Sequence, residues 1–238
     1  KQNTDFDSFF QSASPILLED RLRVFYCTRK KLKDDSYVSY PSFFDLDIFD
    51  DKFSLIDTFP REIMQLGDKG TFDEFGINPI SVVSSKGLLK MYYAGWTRCE
   101  SVHFDAAIGY AESFDNGKSF KRKYSGPIVG KNCFDKFLIG SPKIKYFNNQ
   151  YYLTYVSGEK WLKTDNRYEP IYKIKIATSQ NGIDFILNEK NIIKDAIENE
   201  CQASGDIIKL DNKYIMIFSY RNIFDYKNAQ QGYKNTYA

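Results

Sequence analysis

Four segments of the chain can be laid over one another at nearly constant spacing, and this restricts the fold more than any other feature. The segments are Ser14-Pro15-Ile16-Leu17-Leu18, Asn78-Pro79-Ile80-Ser81-Val82, Ser141-Pro142-Lys143-Ile144-Lys145 and Ser204-Gly205-Asp206-Ile207-Ile208. Their second residues stand at 15, 79, 142 and 205, so the unit recurs after 64, 63 and 63 residues. Such a period marks a repeated supersecondary unit whose copies bury their apolar faces against one another. Each segment runs through a short polar turn into a second apolar stretch: Leu22–Tyr26, Leu89–Tyr93, Tyr151–Tyr155 and Tyr214–Phe218. Short apolar runs joined by turns of this kind are hairpins.

A third strand follows a longer loop, at Ala107–Ala111 in one unit and Lys173–Ala177 in the next. Each leads into a tight turn, Ser113–Phe120 and Ser179–Phe185. The first turn fits the Asp-box pattern S-x-D-x-G-x-x-F, and the second is a shortened version. Its Asp caps the turn and its Gly supplies a positive φ, so the motif is structural and not catalytic. Four antiparallel strands per unit at this period predict an all-β fold, a β-propeller. No stretch has a helical apolar period long enough to compete.

The blades fall at about 1–66, 67–130, 131–194 and 195–238 of a single domain spanning residues 1–238. The last is incomplete, because Tyr233–Ala238 overlays Ala106–Ala111, a third strand. Either the chain is a fragment of a longer, five-bladed protein, or its N-terminal residues supply the missing strand. The fragment reading is preferred.

Composition narrows the function. The 33 basic and 31 acidic side chains nearly cancel, which gives no case for a nucleic-acid partner. No apolar run reaches the ~20 residues of a membrane span. The opening residues Lys1–Asp5 hold no signal-peptide core, although an earlier-cleaved signal would leave export open. Cys27, Cys99, Cys133 and Cys201 form no CxxC pair, and His103 is the single histidine. No metal site and no cofactor is therefore expected. Four free thiols suit a reducing compartment, which points to the cytoplasm.

Strand order sorts the connections by face. The loops between second and third strands, and the approaches to each first strand, share one face and ring the mouth of a funnel. They carry carboxylates, cations and tryptophans, a mixture suited to a sugar: indoles stack on its apolar face, arginines grip carboxylate or phosphate. A cation follows the second strand in every unit, at Arg29, Arg98, Lys160 and Arg221, and together these predict an anion site. Trp96, Trp161, His103 and Glu74 complete the expected substrate-binding set.

Met91-Tyr92-Tyr93-Ala94-Gly95-Trp96, Ile108-Gly109-Tyr110-Ala111 and the Ser/Asp-Gly turn resemble the five-bladed propeller glycosidases, the superfamily of glycoside hydrolase families 43, 32 and 130. The resemblance covers nearly the whole chain. It implies carboxylates at the starts of the innermost strands, one often as Asp-Pro. The matching residues here are Ser14, Asn78, Ser141 and Ser204, none of them a carboxylate. Glu200-Cys201 is similar to the Glu-Cys-Pro acid motif of the invertase-like enzymes, with Gln202 in place of proline. The remaining candidates are Asp73, Glu74, Glu198, Glu200 and Asp105. Glu200 and Asp73 are the expected proton-transfer pair, with Asp105 as a third carboxylate tuning pKa. An inverting hydrolase would hold its two carboxyls about 6.5–9.5 Å apart.

The expected function is cleavage of a glycosidic bond by carboxylate acid/base chemistry. Two alternatives stand beside it: a phosphorylase or transferase using a phosphorylated sugar, and a non-catalytic propeller that binds carbohydrate or protein. The expected partner is a carbohydrate, anionic or phosphorylated in the second case.

Overall fold

The computed structural model describes residues 7–50, 52–57, 62–85, 87–164, 167–224 and 234–237. Among these there is no helix; the chain is an all-β propeller. The first antiparallel unit is β1 (Asp7–Leu17), β2 (Leu22–Lys31), β3 (Tyr37–Phe49) and β4 (Lys52–Asp57). The second is β5 (Gly76–Ser85), β6 (Leu88–Thr97), β7 (Asp105–Ser113) and β8 (Lys121–Arg122). β9 (Ile139–Phe147), β10 (Gln150–Lys163) and β11 (Tyr168–Ser179) form the third, and β12 (Glu200–Leu210), β13 (Lys213–Asn222) and β14 (Lys234–Tyr237) the fourth. A single parallel bridge, Ser39 to Gly76, joins the first two units. β1, β5, β9 and β12 contact one another in chain order, so these first strands are innermost.

Alternation along each strand sends one face to the preceding unit and one to the next. Phe25, Cys27 and Phe43 of the first unit meet Ile77, Ile80, Met91 and Tyr93 of the second in one cluster. Tyr92, Ile108 and Tyr110 of the second meet Leu153, Tyr155 and Ala177 of the third. Val156 and Ile174 then pack on Phe218, with Met216 and Tyr220 beside it. Outward from these interfaces, Leu17, Phe53 and Leu55 of the first unit and Leu210 and Ile217 of the fourth are exposed.

Every inner strand carries a register shift against its partner, at 12–13, 78–79, 141–142 and 204–205. Ser12, Ser141 and Ser204 have positive φ there, and the Asn78–Pro79 peptide is cis. These shifts correct the sequence overlay in the first unit. Buried Ser14 and Ser81 play the same part: Val82 N–H donates to Ser14 Oγ at 2.9 Å, and Ile144 N–H to Ser81 Oγ at 3.0 Å. Ser14 therefore corresponds to Ser81 and not to Asn78. Insertions between units are absorbed in surface turns, so spacing alone locates the first strand only to within a few residues.

The Asp-box turns also pack blades together. Asp115 Oδ1 accepts from Ser119 N–H at 3.0 Å, and Gly117 has φ 82°. A side chain at Gly117 would run into the Phe25 ring, and one at Gly182 into Tyr92 Oη. Each turn is thus seated on an aromatic of the preceding unit. Arg23 Nη1 holds the first from below, donating to Asn116 O at 2.7 Å.

The residues read as loops on the funnel face are mostly strand. Cys27–Lys30 belongs to β2, Gly158–Trp161 to β10 and Tyr220–Asn222 to β13. β10 and β11 pair from Tyr151–Ser179 out to Lys163–Tyr168, forming a ribbon longer than the blade. Tyr233 and Ala238 lie outside the described residues, but Lys234–Tyr237 pairs with β13 as the overlay anticipates.

Candidate functional site

One cavity of about 460 Å³ opens among the first three units on the funnel face. Arg29 enters from the end of β2, Trp96 from the end of β6, and His103 from the β6–β7 connection. Tyr37 and Ser39 come from β3, Asn78 from β5, Ser141 from β9, and the ribbon supplies Tyr172 and Arg167. Two guanidiniums, an imidazole and the four aromatic rings of Tyr37, Trp96, Phe104 and Tyr172 therefore line one space, with no carboxylate among its lining, although the buried Glu169 accepts from Arg167 Nε at 2.6 Å. That chemistry binds anions and stacks on rings.

Local structure explains the walls. Gly76 lies so close to Trp96 that any side chain there would overlap the indole, which is held against Phe75 with ring centroids 6.1 Å apart. His103 and Phe104 pack against Trp161 of the ribbon at 5.5 and 5.7 Å, so Trp161 buttresses the wall. Arg221 is buried and donates to Tyr172 Oη at 3.3 Å, which places it behind a lining residue.

The other sequence-selected cations lie elsewhere. Arg98 stacks over Phe75 at 4.3 Å and donates to Ser36 Oγ at 2.7 Å, tying the second unit to the β2–β3 turn. Lys160 borders a separate cleft of about 380 Å³ with Lys173, Asp195 and Glu198. The four cations after the second strands thus do not converge: Arg29 alone lines the cavity.

The carboxylates are also dispersed. Asp73 is 1% exposed; its Oδ2 accepts from Arg122 Nε at 2.8 Å and Tyr93 Oη at 3.0 Å, and its Oδ1 from Thr71 at 3.1 Å. Glu74 accepts from Gly70 N–H at 2.8 Å, closing the same turn. Glu200, also 1% exposed, accepts from the Ala196 and Ile197 N–H groups at 2.8 and 3.1 Å and from Gln202 Nε2 at 2.8 Å. Both carboxylates are bonded to protein groups, and neither lines the cavity. Asp105 sits between lining residues Phe104 and Ala106, with its carboxylate ion-paired to Lys131.

Asp135 repeats the pattern of Asp73 in the third unit. It is fully buried and accepts from Ser157 Oγ at 2.6 Å, Lys175 Nζ at 2.8 Å and Tyr155 Oη at 3.2 Å. Burial opposes its charge, but Lys175, Ser157 and Asn132 outweigh burial and hold its carboxyl below the usual range. Asp73 and Asp135 are corresponding anchors of the approach to an inner strand.

Arg167, Tyr37 and Tyr172 were not singled out from the sequence. The apolar/polar alternation Tyr172-Lys173-Ile174-Lys175-Ile176 marks β11, but no sequence signal shows that its pairing with β10 extends out to Arg167.

No protein-family model matches the chain. It is similar to two uncharacterised proteins of Mycobacterium tuberculosis, from strains CDC 1551/Oshkosh and ATCC 25618/H37Rv. Each is 27% identical over 129 residues, 54% of this chain, and the match spans 42% of the relative's length. Among solved structures, a glycoside hydrolase matches with a TM-score of 0.71 at 12% identity, covering 96% of this chain and 70% of that one. β-1,2-Mannobiose phosphorylase from Listeria innocua matches at 0.63 and 12% identity, covering 100% and 74%. Sucrose-6-phosphate hydrolase from Lactobacillus gasseri matches at 0.68 and 14%, covering 96% and 44%.

Proposed function

The chain has the propeller fold of those glycoside hydrolases and that phosphorylase, and we infer from its cavity that it acts on carbohydrate, taking a sugar that bears phosphate or carboxylate. The chemistry this favours is phosphorolysis or transfer from a phosphorylated sugar, not hydrolysis by a carboxylate pair. The observation that carries the reading is the lining itself: Arg29, Arg167 and His103 beside Trp96, Tyr37 and Tyr172, with no carboxylate among the lining residues and the Arg167 guanidinium shared with the buried Glu169 at 2.6 Å. Fold alone would not support it, since function belongs to the site.

In phosphorolysis a phosphate oxygen bonds to the anomeric carbon while the glycosidic C–O bond breaks, and the leaving oxygen takes a proton. One acid suffices. Asp105, next to the lining, is the proposed relay: released from Lys131 when substrate binds, its carboxylate takes a proton from the attacking phosphate's P–OH and passes it to the leaving oxygen. Arg29 and Arg167 would neutralise the phosphate, and Trp96 would carry the apolar face of the ring. Asp73 and Glu200 would act as anchors of their loops.

The test is calorimetric titration with inorganic phosphate, sugar phosphates, uronic acids and neutral oligosaccharides, followed by turnover assays on whichever class binds. Saturable binding of anionic ligands, lost in Arg29→Ala and Arg167→Ala, supports the reading. Binding of neutral glycans alone returns the hydrolase or a simple binding module to first place.

A further inference from the structure

Arg167 reaches the cavity from the tip of the β10–β11 ribbon, immediately before the first residue of β11. Its backbone is held there: the Arg167 carbonyl accepts from Thr164 N–H at 2.9 Å and from Thr164 Oγ1 at 2.7 Å. Its side chain is held as well, since Nε donates to Glu169 Oε1 at 2.6 Å. The two partners sit in different surroundings. The Arg167 side chain is 44% exposed, whereas that of Glu169, which pairs across the ribbon with Leu162, is 8% exposed. A buried carboxylate thus holds a half-exposed guanidinium at the wall of the cavity.

Stability by itself gives little reason for such a pair. A buried carboxylate gives up hydration that attraction to a half-exposed arginine recovers poorly, and an apolar side chain of similar size often serves a fold as well. What the pair does supply is orientation. An arginine has many rotamers, and fixing it is a cost that an unanchored side chain would meet at the moment of binding. A bond at Nε, the guanidinium nitrogen nearest the chain, sets the plane of the group without itself using the terminal nitrogens. Tyr172, which lines the cavity from the same ribbon, is held in a comparable way, its Oη accepting from the buried Arg221 at 3.3 Å.

We propose that Glu169 is a positioning residue of the anion site, acting through Arg167: it orders the guanidinium before the phosphate or carboxylate of the sugar arrives. This rests on the reading that the cavity takes an anionic sugar. Glu169 itself touches no ligand. Its charge works against an incoming anion, but solvent around the half-exposed Arg167 screens that effect. Its acceptor oxygen works for binding, because it fixes the arginine in advance. Substitution can separate the two.

The experiment titrates the wild type, Arg167→Ala, Glu169→Ala, Glu169→Gln and the double variant Arg167→Ala/Glu169→Ala with inorganic phosphate, and in parallel with glucuronate to separate a phosphate from a carboxylate ligand. Glu169→Ala, which removes the acceptor, is expected to bind about threefold to tenfold more weakly in the arm that binds. Glu169→Gln keeps an acceptor oxygen without the charge and is expected to bind at least as tightly as the wild type. Added to Arg167→Ala, the Glu169→Ala change should have no further effect, as a residue acting only through Arg167 requires. Undiminished binding by Glu169→Ala, an equal loss in Glu169→Gln, or a full further loss in the double variant overturns the proposal and leaves the anionic cavity standing. If the wild type binds neither anion, both ideas fall together. Should Glu169→Ala not fold, Arg167→Lys decides: it keeps the charge but has no Nε to meet Glu169, and is expected to bind as weakly as Arg167→Ala. Wild-type affinity in Arg167→Lys overturns the role.

Discussion

Tyr93 donates its hydroxyl to Asp73 at 3.0 Å, twenty residues back along the chain. Tyr155 and Asp135 stand in the same relation, at the same separation, one unit later. The tyrosine comes from the second strand and the aspartate from the approach to the first, so the bond latches the approach onto its own blade. In the fourth unit Phe218 replaces the tyrosine in the face toward the preceding blade, and Glu200 satisfies backbone N–H groups instead. The latch joins fold to function because these approaches lead directly into the strands that carry Asn78 and Ser141 to the cavity.

Breaking the latch is expected to cost stability before it costs binding. Asp135→Asn leaves Lys175 buried without its carboxylate and should destabilise by about 3–5 kcal/mol. Tyr155→Phe removes one hydrogen bond and should cost about 1 kcal/mol. Urea midpoints measure both. Asp73→Asn should likewise lower the midpoint while leaving anion affinity within about twofold of wild type; abolished binding by a folded Asp73→Asn would return Asp73 to the site.

Acid should unfold the protein through its buried aspartates. Burial opposes the charge of Asp45, but Arg23 and then Arg21 outweigh it, and its carboxyl, like that of Asp135, is held below the ordinary 3.8. A folded-state pKa below the unfolded one gives stability that is fully present above the unfolded value. It is lost as pH falls through the folded value. The urea midpoint should therefore be flat from neutral pH to about 5 and decline below about 4. Asp135→Asn should show a shallower decline, and an unchanged slope would remove Asp135 from the account.

Gly117 is expected to tolerate no side chain. Its φ of 82° disfavours any L-residue, and an added Cβ would meet the Phe25 ring. Gly117→Ala should cost about 2–4 kcal/mol from the two effects together. Gly87, with a similar φ of 74° and open space around it, isolates the backbone part. Gly87→Ala should cost about 1–2 kcal/mol, and thermal unfolding of the pair separates the contributions.

Arg29 and Arg98 offer a contrast between two cations of matching sequence position. Arg29→Ala should weaken phosphate binding by about tenfold or more. Arg98→Ala should leave binding unchanged and lower stability by less than about 1 kcal/mol, since Arg98 is part-exposed over Phe75 and its Asp34 pair is long at 4.0 Å. Equal losses of affinity in both variants would mean that the cations converge in solution as their sequence positions suggest.

By itself the sequence determined the architecture. A unit of about 63 residues, short apolar strands paired as hairpins and Asn/Asp/Gly turns admit a propeller and little else, because each is a local property that any blade must satisfy. It also marked the funnel face and brought Arg29, Trp96 and His103 forward. Tertiary structure alone decided which residues share the cavity. Arg98 and Arg29 occupy like positions in the repeat, yet one packs on Phe75 and the other faces the open space. Asp73 and Glu200 read as free acids until their partners arrive from Arg122, Tyr93 and the Ala196–Ile197 backbone. Arg167 enters because β10 and β11 stay paired beyond the blade. Charge and polarity are written in the residue, but whether a charge is spent on an internal partner depends on contacts between distant segments, which periodicity does not encode.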